Sequence, residues 1–279
     1  MVSTTATSAS TSAATTAFGG QLRKWRQHRR LSQEALAFDA EISTRHLSFL
    51  EGGKAKPSRE MVLILASALE VPLRERNVLL QAAGFAAVYK ETGLDDAAMD
   101  TVRRALDLLL EQQEPWGAVV VDRVWNVTRL NRGAERLFAH FPPTSTDPRV
   151  VMNVVRTLFH PGGLRPFIVN IEEVATSTLE RLHREIALAP DDETLLELQR
   201  EVAAYDDVAA ALAAPKPLSP PPSPVLAVHL RKGDDEVRLM TLLTTLGTPL
   251  DVSAQELAIE SYFPADAASE AFLRRLSRE

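Results

Sequence analysis

The chain has 279 residues, 45% hydrophobic and 24% charged, the proportions of a globular protein with room for one large domain or two ordinary ones. It contains no cysteine, which excludes disulfide scaffolds, thiolate zinc sites, iron–sulfur ligation and cysteine nucleophiles. The formal net charge of -6 is unevenly spread: residues 18–87 carry eleven Lys/Arg against seven Asp/Glu, and the remainder twenty against thirty, as expected when only a small first domain meets phosphates.

Residues 1–17 are almost all Ser, Thr and Ala, and a segment with so little apolar surface is expected to be a disordered tail. It has neither the basic residues nor the apolar core of a secretory signal. No apolar run later in the chain approaches the ~20 residues of a membrane span. A cytoplasmic, two-domain protein is expected.

Short helices follow from Phe18. Leu22 and Trp25 mark the apolar face of the first, and Ser32 stands as an N-cap before Gln33-Glu34-Ala35-Leu36. Ser43 opens a third helix that Gly52 and Gly53 end, Pro57-Ser58 opens a fourth, and a fifth stops at Gly84. Five helices over 18–87 make an all-α domain. A helix of about 95–113 lies within an expected linker, 88–114. From Pro115 the texture changes. Ala118–Val121 and Trp125–Leu130 read as a hairpin, and helices occupy most of 150–214. A loop of six prolines spans 215–224, then Val225–Arg231, Val237–Leu246 and Glu256–Phe263 read as strands before a last helix.

The strongest functional signal lies between Ser32 and Lys54: Gln33, Leu36-Ala37, Ile42-Ser43, Leu47, Leu50-Glu51 and Gly53-Lys54. This resembles the Cro/repressor-type helix-turn-helix of the xenobiotic-response-element regulator family. In such a motif the apolar positions hold two short helices at a steep angle, and the start of the second projects into the major groove of DNA. The resemblance makes Gln33 a contact to phosphate and base, and places Ser43, Thr44 and Arg45 in the leading turn of the recognition helix. Arg45 could read a guanine edge with two hydrogen bonds. Thr44 and Ser48 lie one turn apart, while Lys54, Lys56 and Arg59 would meet phosphates. Arg26 and Glu51 match a family pair that joins the first helix to the third. Glu41 stands where the family usually has a left-handed glycine, so a looser or differently shaped turn is expected. Phe49 either meets a thymine methyl or turns inward.

The second half also shows a likeness. Pro115–Asp122, Trp125-Asn126-Val127, Leu130-Asn131-Arg132, Leu137-Phe138, Asn153–Arg156 and Phe159-His160-Pro161 are similar to MmyB-like regulators. That resemblance implies a multi-domain chain, α then α+β, in which 115–279 is a PAS-like domain: a five-stranded antiparallel sheet, helices on one side, and a mostly apolar ligand cavity. Such a cavity could hold haem, flavin, a lipid or nothing; the lack of cysteine excludes a flavin–cysteinyl photosensor. The resemblance favours a lipophilic carboxylate. Trp116, Trp125, Phe138, Phe159 and Phe167 could line the cavity, with Arg156 or Arg165 pairing the acid. No cofactor and no metal is expected, because His140, His160, His183 and His229 lack the spacing of a ligand set.

Catalysis has little support. Glu172 and Glu173 are adjacent on a helix and point apart, and no G-x-S-x-G nucleophile elbow occurs. The sequence therefore points to a ligand-responsive DNA-binding regulator, a homodimer on a near-palindromic operator. The alternatives are an antitoxin-like regulator whose second half binds a protein, and an oxidoreductase or hydrolase regulated by its own DNA-binding domain.

Overall fold

The computed structural model describes residues 5–213 and 225–278, and the chain divides mainly between Glu91 and Thr92 into two compact units. Among the described residues the first unit comprises α1 (Thr5–His28), α2 (Gln33–Asp39), α3 (Thr44–Glu51), α4 (Arg59–Ala68) and α5 (Leu73–Ala82). Three of them open alike. Ser32, Ser43 and Ser58 are extended N-caps whose hydroxyls accept from the amides of Ala35, His46 and Met61 at 3.0–3.1 Å. Three also close alike. Arg30, Glu41 and Glu70 take φ of 56°, 54° and 50°, which lets the next amide reach back to a carbonyl five residues earlier: Leu31 to Arg26, Ile42 to Ala37, Val71 to Ala66, at 2.9–3.0 Å. Glu41 therefore keeps the left-handed turn, and the expected loosening does not occur; paired hydrogen bonds hold the strained residue in place.

Phe18, Leu22 and Trp25 of α1 are buried with Leu36, Leu47, Leu50 and Leu65 in one core. The expected disordered tail needs correction. Residues 1–4 lie outside the described residues, but α1 already begins at Thr5. Alanine is the best helix former, and extending a helix already nucleated by packing costs little. Thr15 is buried, and a Cβ on Gly53, past the end of α3, would come 3.1 Å from Thr16 Oγ1.

The second unit is built on a sheet of β1 (Ala118–Val121), β2 (Val127–Leu130), β3 (Ala227–Lys232), β4 (Asp235–Thr245) and β5 (Ala258–Pro264). Their order is β2-β1-β5-β4-β3 with every pair antiparallel. The β3–β4 hairpin turns tightly between Lys232 and Asp235, where Gly233 supplies φ of 62°. Its helices are α6 (Asp100–Gln112), α7 (Arg132–His140), α8 (Pro148–Val151), α9 (Val154–Phe159), α10 (Ile171–Leu188), α11 (Glu193–Ala203), α12 (Asp206–Ala213), α13 (Val252–Glu256) and α14 (Ala267–Leu276).

Alternation along β1 gives the sheet two covered faces. Val119 and Val121 join the main core with α7, α9 and α10. Ala118 and Val120, with Leu257 and Ile259, meet Leu106 and Leu110 of α6. Helices thus lie on both sides of the sheet. The expected linker 88–114 is divided as well. Residues 88–89 are tied to α5 by Asn77, whose side chain donates to the Tyr89 carbonyl at 2.7 Å and accepts from the amides of Val88 and Tyr89. α6 belongs to the sheet, because its i, i+4 leucines need an apolar partner.

Two buried asparagines fasten the helices to the sheet. Asn131 caps α7 by accepting from Ala134, accepts from the Ala118 amide in β1, and donates to Leu110 and Trp116 carbonyls. Asn153 caps α9 and donates to the Val124 carbonyl and the Asn126 side chain. Trp125, expected at the start of a strand, is in a turn at φ of 67°. The Asp122 carboxylate accepts from the amides of Val124 and Asn126 at 2.9 Å and holds that turn. The Pro-rich stretch 215–224 lies outside the described residues.

Candidate DNA interface and ligand cavity

Helix α3 has an apolar side and a polar side. Leu47 and Leu50 are buried in the core, and Thr44, Arg45 and Ser48 are exposed on the opposite face. Phe49 stays at the surface at 38% exposure, with the Arg45 guanidinium 5.4 Å from its ring centre. The ring does not turn inward; it supports the arginine. The Ser43 hydroxyl is occupied as the N-cap. Lys54, Lys56 and Arg59 are exposed just past α3. Between Ser43 and Arg59 the one acidic residue is Glu51.

Glu51 is buried and fully engaged. Its carboxylate accepts from Arg26 Nε at 2.6 Å and Nη2 at 3.0 Å, and from Gln33 Nε2 at 2.8 Å. Burial works against its charge, but these hydrogen bonds prevail and hold its pKa below the ordinary value; Arg26 is raised in return by the same bonds. The expected Arg26–Glu51 pair is present. Gln33, expected as a DNA contact, is part of this clamp between α1, α2 and α3. The result is an outward face that is basic and polar, with its sole carboxylate neutralised inside.

The second unit encloses a cavity of about 250 Å³ between the sheet and helices α7, α9 and α10. Leu137, Phe138, Val154, Leu158, Val174 and Leu230 give it an apolar wall, and the exposed Val225 and Leu226 lie at its rim. Of the residues expected to line it, Trp125 and Phe138 do. The others lie elsewhere: Trp116 packs under the Arg274 guanidinium at 5.0 Å, Phe159 is buried in the core, and Phe167 meets Phe141 edge-on. Arg156 is paired with Glu201 at 2.9 Å, and Arg165 is paired with Asp207. Neither of these arginines is in the cavity wall, because acidic helices α11 and α12 supply a nearer partner for each.

The cavity has a different arginine. Arg181 of α10 enters its lining with Glu260 and Tyr262 of β5. The guanidinium is 5.2 Å from the Trp125 ring centre and 3.4 Å from Glu260 Oε1. The Tyr262 hydroxyl donates to Glu260 Oε2 at 3.3 Å, and Trp125 Nε1 donates to Glu185 at 2.7 Å. Burial pushes the carboxyls of Glu260 and Glu185 above their ordinary values, and the Tyr262 hydroxyl well above its own. The sequence did hold a signal for these residues. Arg181 shares a helix face with Val174, Thr178 and Leu182 at helical spacing, and Glu260 stands at an inward position of a mainly apolar strand.

Comparisons with known proteins agree with this two-part organisation. Residues 17–79 match a helix-turn-helix domain family, and residues 102–276 match the MmyB-like transcription regulator ligand binding domain. Among solved structures, the restriction-modification controller protein C.AhdI from Aeromonas hydrophila is 35% identical over 22% of this chain and 94% of its own, with a TM-score of 0.22. The clp gene regulator ClgR from Corynebacterium glutamicum is 24% identical over 37% of this chain and 95% of its own, with a TM-score of 0.23. An RNA-binding Light-Oxygen-Voltage receptor is 13% identical over 100% of this chain and 68% of its own, with a TM-score of 0.27. No curated protein matches. With the family match covering most of the chain, the protein belongs to the helix-turn-helix transcription regulators that carry an MmyB-like ligand-binding domain.

Proposed function

We propose that the protein reads a specific operator through α3 in the major groove, and that a small, mainly apolar molecule in the cavity of its PAS-like second unit modulates this binding. The observation that carries the reading is the outward row Thr44, Arg45 and Ser48, set on a helix whose other side is locked by Leu47 and Leu50. A rigid helix with short polar side chains and one supported guanidinium suits base-edge readout, and Lys54, Lys56 and Arg59 would fix register on phosphates. A homodimer on a near-palindromic operator, with recognition helices about 34 Å apart, would supply the affinity one small unit lacks. Catalysis is no part of this proposal. Among the described residues no helix is long and apolar enough to cross a membrane, and the proposed place of action is the cytoplasm.

A ligand can change DNA affinity only by binding two arrangements of the protein unequally. α6 rests on the same sheet whose other face lines the cavity, so it is the proposed route by which filling is transmitted.

The test is fluorescence anisotropy on duplexes from upstream of the protein's own gene and its neighbours, beside a scrambled duplex, at two salt concentrations. Arg45→Ala should weaken binding to the operator by about 5- to 150-fold, the worth of one bidentate base contact, and should leave scrambled DNA nearly unaffected. Lys54→Ala should weaken both duplexes alike and flatten the salt dependence. Equal binding of wild type to every duplex would overturn sequence-specific readout. A protein that co-purifies and occupies the second unit would favour the antitoxin-like alternative instead.

A further inference from the structure

Helix α6 carries leucine on two sides. Leu106 and Leu110 meet the sheet, while Leu108 and Leu109 remain 51% and 39% exposed. At 3.6 residues per turn Leu108 stands opposite the seam that faces the sheet. Adjacent leucines left open on a helix already packed on its other side mark a second contact surface.

The charges of α6 select what covers it. Asp100 pairs with Arg103, and Asp107 with Arg129. Arg104 and Glu111 are exposed, and neither side chain has a partner among the described residues. Both stand on the same flank of Leu108, about 40° and 60° around the helix from it. Arg104 is about 6 Å toward the N-terminus and Glu111 about 4.5 Å toward the C-terminus. One flank therefore carries a free cation at one end and a free anion at the other.

We propose that α6 packs antiparallel against α6 of a second copy of this chain, about a twofold axis at Leu108, with Arg104 of each copy bonded to Glu111 of the other. This inference rests on the homodimer reading above and supplies its interface. A twofold axis normal to the plane of two antiparallel helices keeps each flank on its own side, as a self-complementary interface requires. Reversal of direction then brings Arg104 level with Glu111 of the second copy to within one residue, ~1.5 Å. A parallel pair would exchange the flanks, setting Arg104 against Ala105 and Glu111 against Gln112, and would form no ion pair. Charged flanks of this kind fix orientation and choice of partner, while Leu108 meeting itself supplies apolar contact. Only residues 92–99 separate α6 from the first unit, so the pair ties two DNA-binding units by short tethers.

The test is analytical ultracentrifugation of the full chain, free and on operator duplex, with wild type, Arg104→Glu, Glu111→Arg and the double variant. Wild type should form a dimer that weakens as salt is raised. Each single reversal sets like charges together twice per dimer and should weaken it by at least about tenfold. The double variant should return close to wild type, and so should a mixture of the two single variants, because only pairing between copies can be rescued in that way. Both side chains are free within their own chain, so circular dichroism and the melting temperature should be unchanged. Leu108→Lys should abolish the dimer. A dimer that neither reversal weakens, or that the double variant fails to restore, would overturn the α6 pairing and leave the homodimer standing. A chain that stays monomeric both free and on operator would overturn both.

Discussion

Glu41 stands at the left-handed position after α2 with φ of 54°, where a side chain costs about 1 kcal/mol that glycine avoids. Glu41→Gly is therefore expected to raise stability by about that amount, read as a shift in the urea midpoint at unchanged slope. Glu51 matters more to the stability of the first unit. Its folded pKa lies below the ordinary value because hydrogen bonds from Arg26 and Gln33 outweigh its burial. Its contribution is thus fully present above the unfolded carboxylate pKa near 4.3 and fades as pH falls through the lower folded value. Unfolding of the first unit, followed between about pH 6 and pH 2, should lose that stability in the acid range, and Glu51→Gln should flatten the profile. Glu51→Ala, which strands Arg26, should cost about 3–5 kcal/mol.

At the scale of elements, close approaches and buried caps decide the packing. A Cβ on Gly19 would stand 2.4 Å from the Leu50 carbonyl and 2.7 Å from that of Glu51. Gly19→Ala must push α1 from the end of α3, at a cost of about 1–3 kcal/mol, and should weaken operator binding as well because α3 is the element displaced. Asn131 joins α6, β1 and α7 through four hydrogen bonds. Asn131→Ala leaves several buried backbone groups unpaired, at about 1–3 kcal/mol each, and is expected to unfold the second unit at temperatures where the first survives. The element pattern itself was legible in the sequence. Serine caps and apolar spacing marked α2, α3 and α4, β-branched runs marked β1 and β2, and strand-like runs marked the other three strands. The start of α1 was not legible, because Ser, Thr and Ala carry no apolar periodicity and the helix is continued by contacts at Thr15 and Thr16. Trp125 was misread for a similar reason: its turn is held by Asp122, and nothing in the local pattern requires that.

For the whole molecule, two units with separate cores should melt separately. Differential scanning calorimetry of the full chain is expected to resolve two transitions, with acid lowering the first unit's transition through Glu51 and a bound ligand raising the second's alone. A single transition insensitive to both would contradict this division. The sequence by itself determined the order of the parts. Charge distribution separated a basic first unit from an acidic second, helix-turn-helix spacing placed Arg45 outward and Leu47 and Leu50 inward, and strand-like runs marked the strands of the sheet, while the helices implied for one side of it stand on both. Those are local properties, written in periods of 3.6 and 2 residues. The tertiary structure alone decided which arginine enters the cavity. Arg156 and Arg165 match the family motif or stand close beside it, yet each meets a carboxylate from a helix tens of residues away. Arg181 reaches Glu260 across 79 positions of sequence. Ion pairs between distant segments leave no periodic mark, so charge at the cavity wall is set by packing, and with it the chemistry of what the cavity can hold.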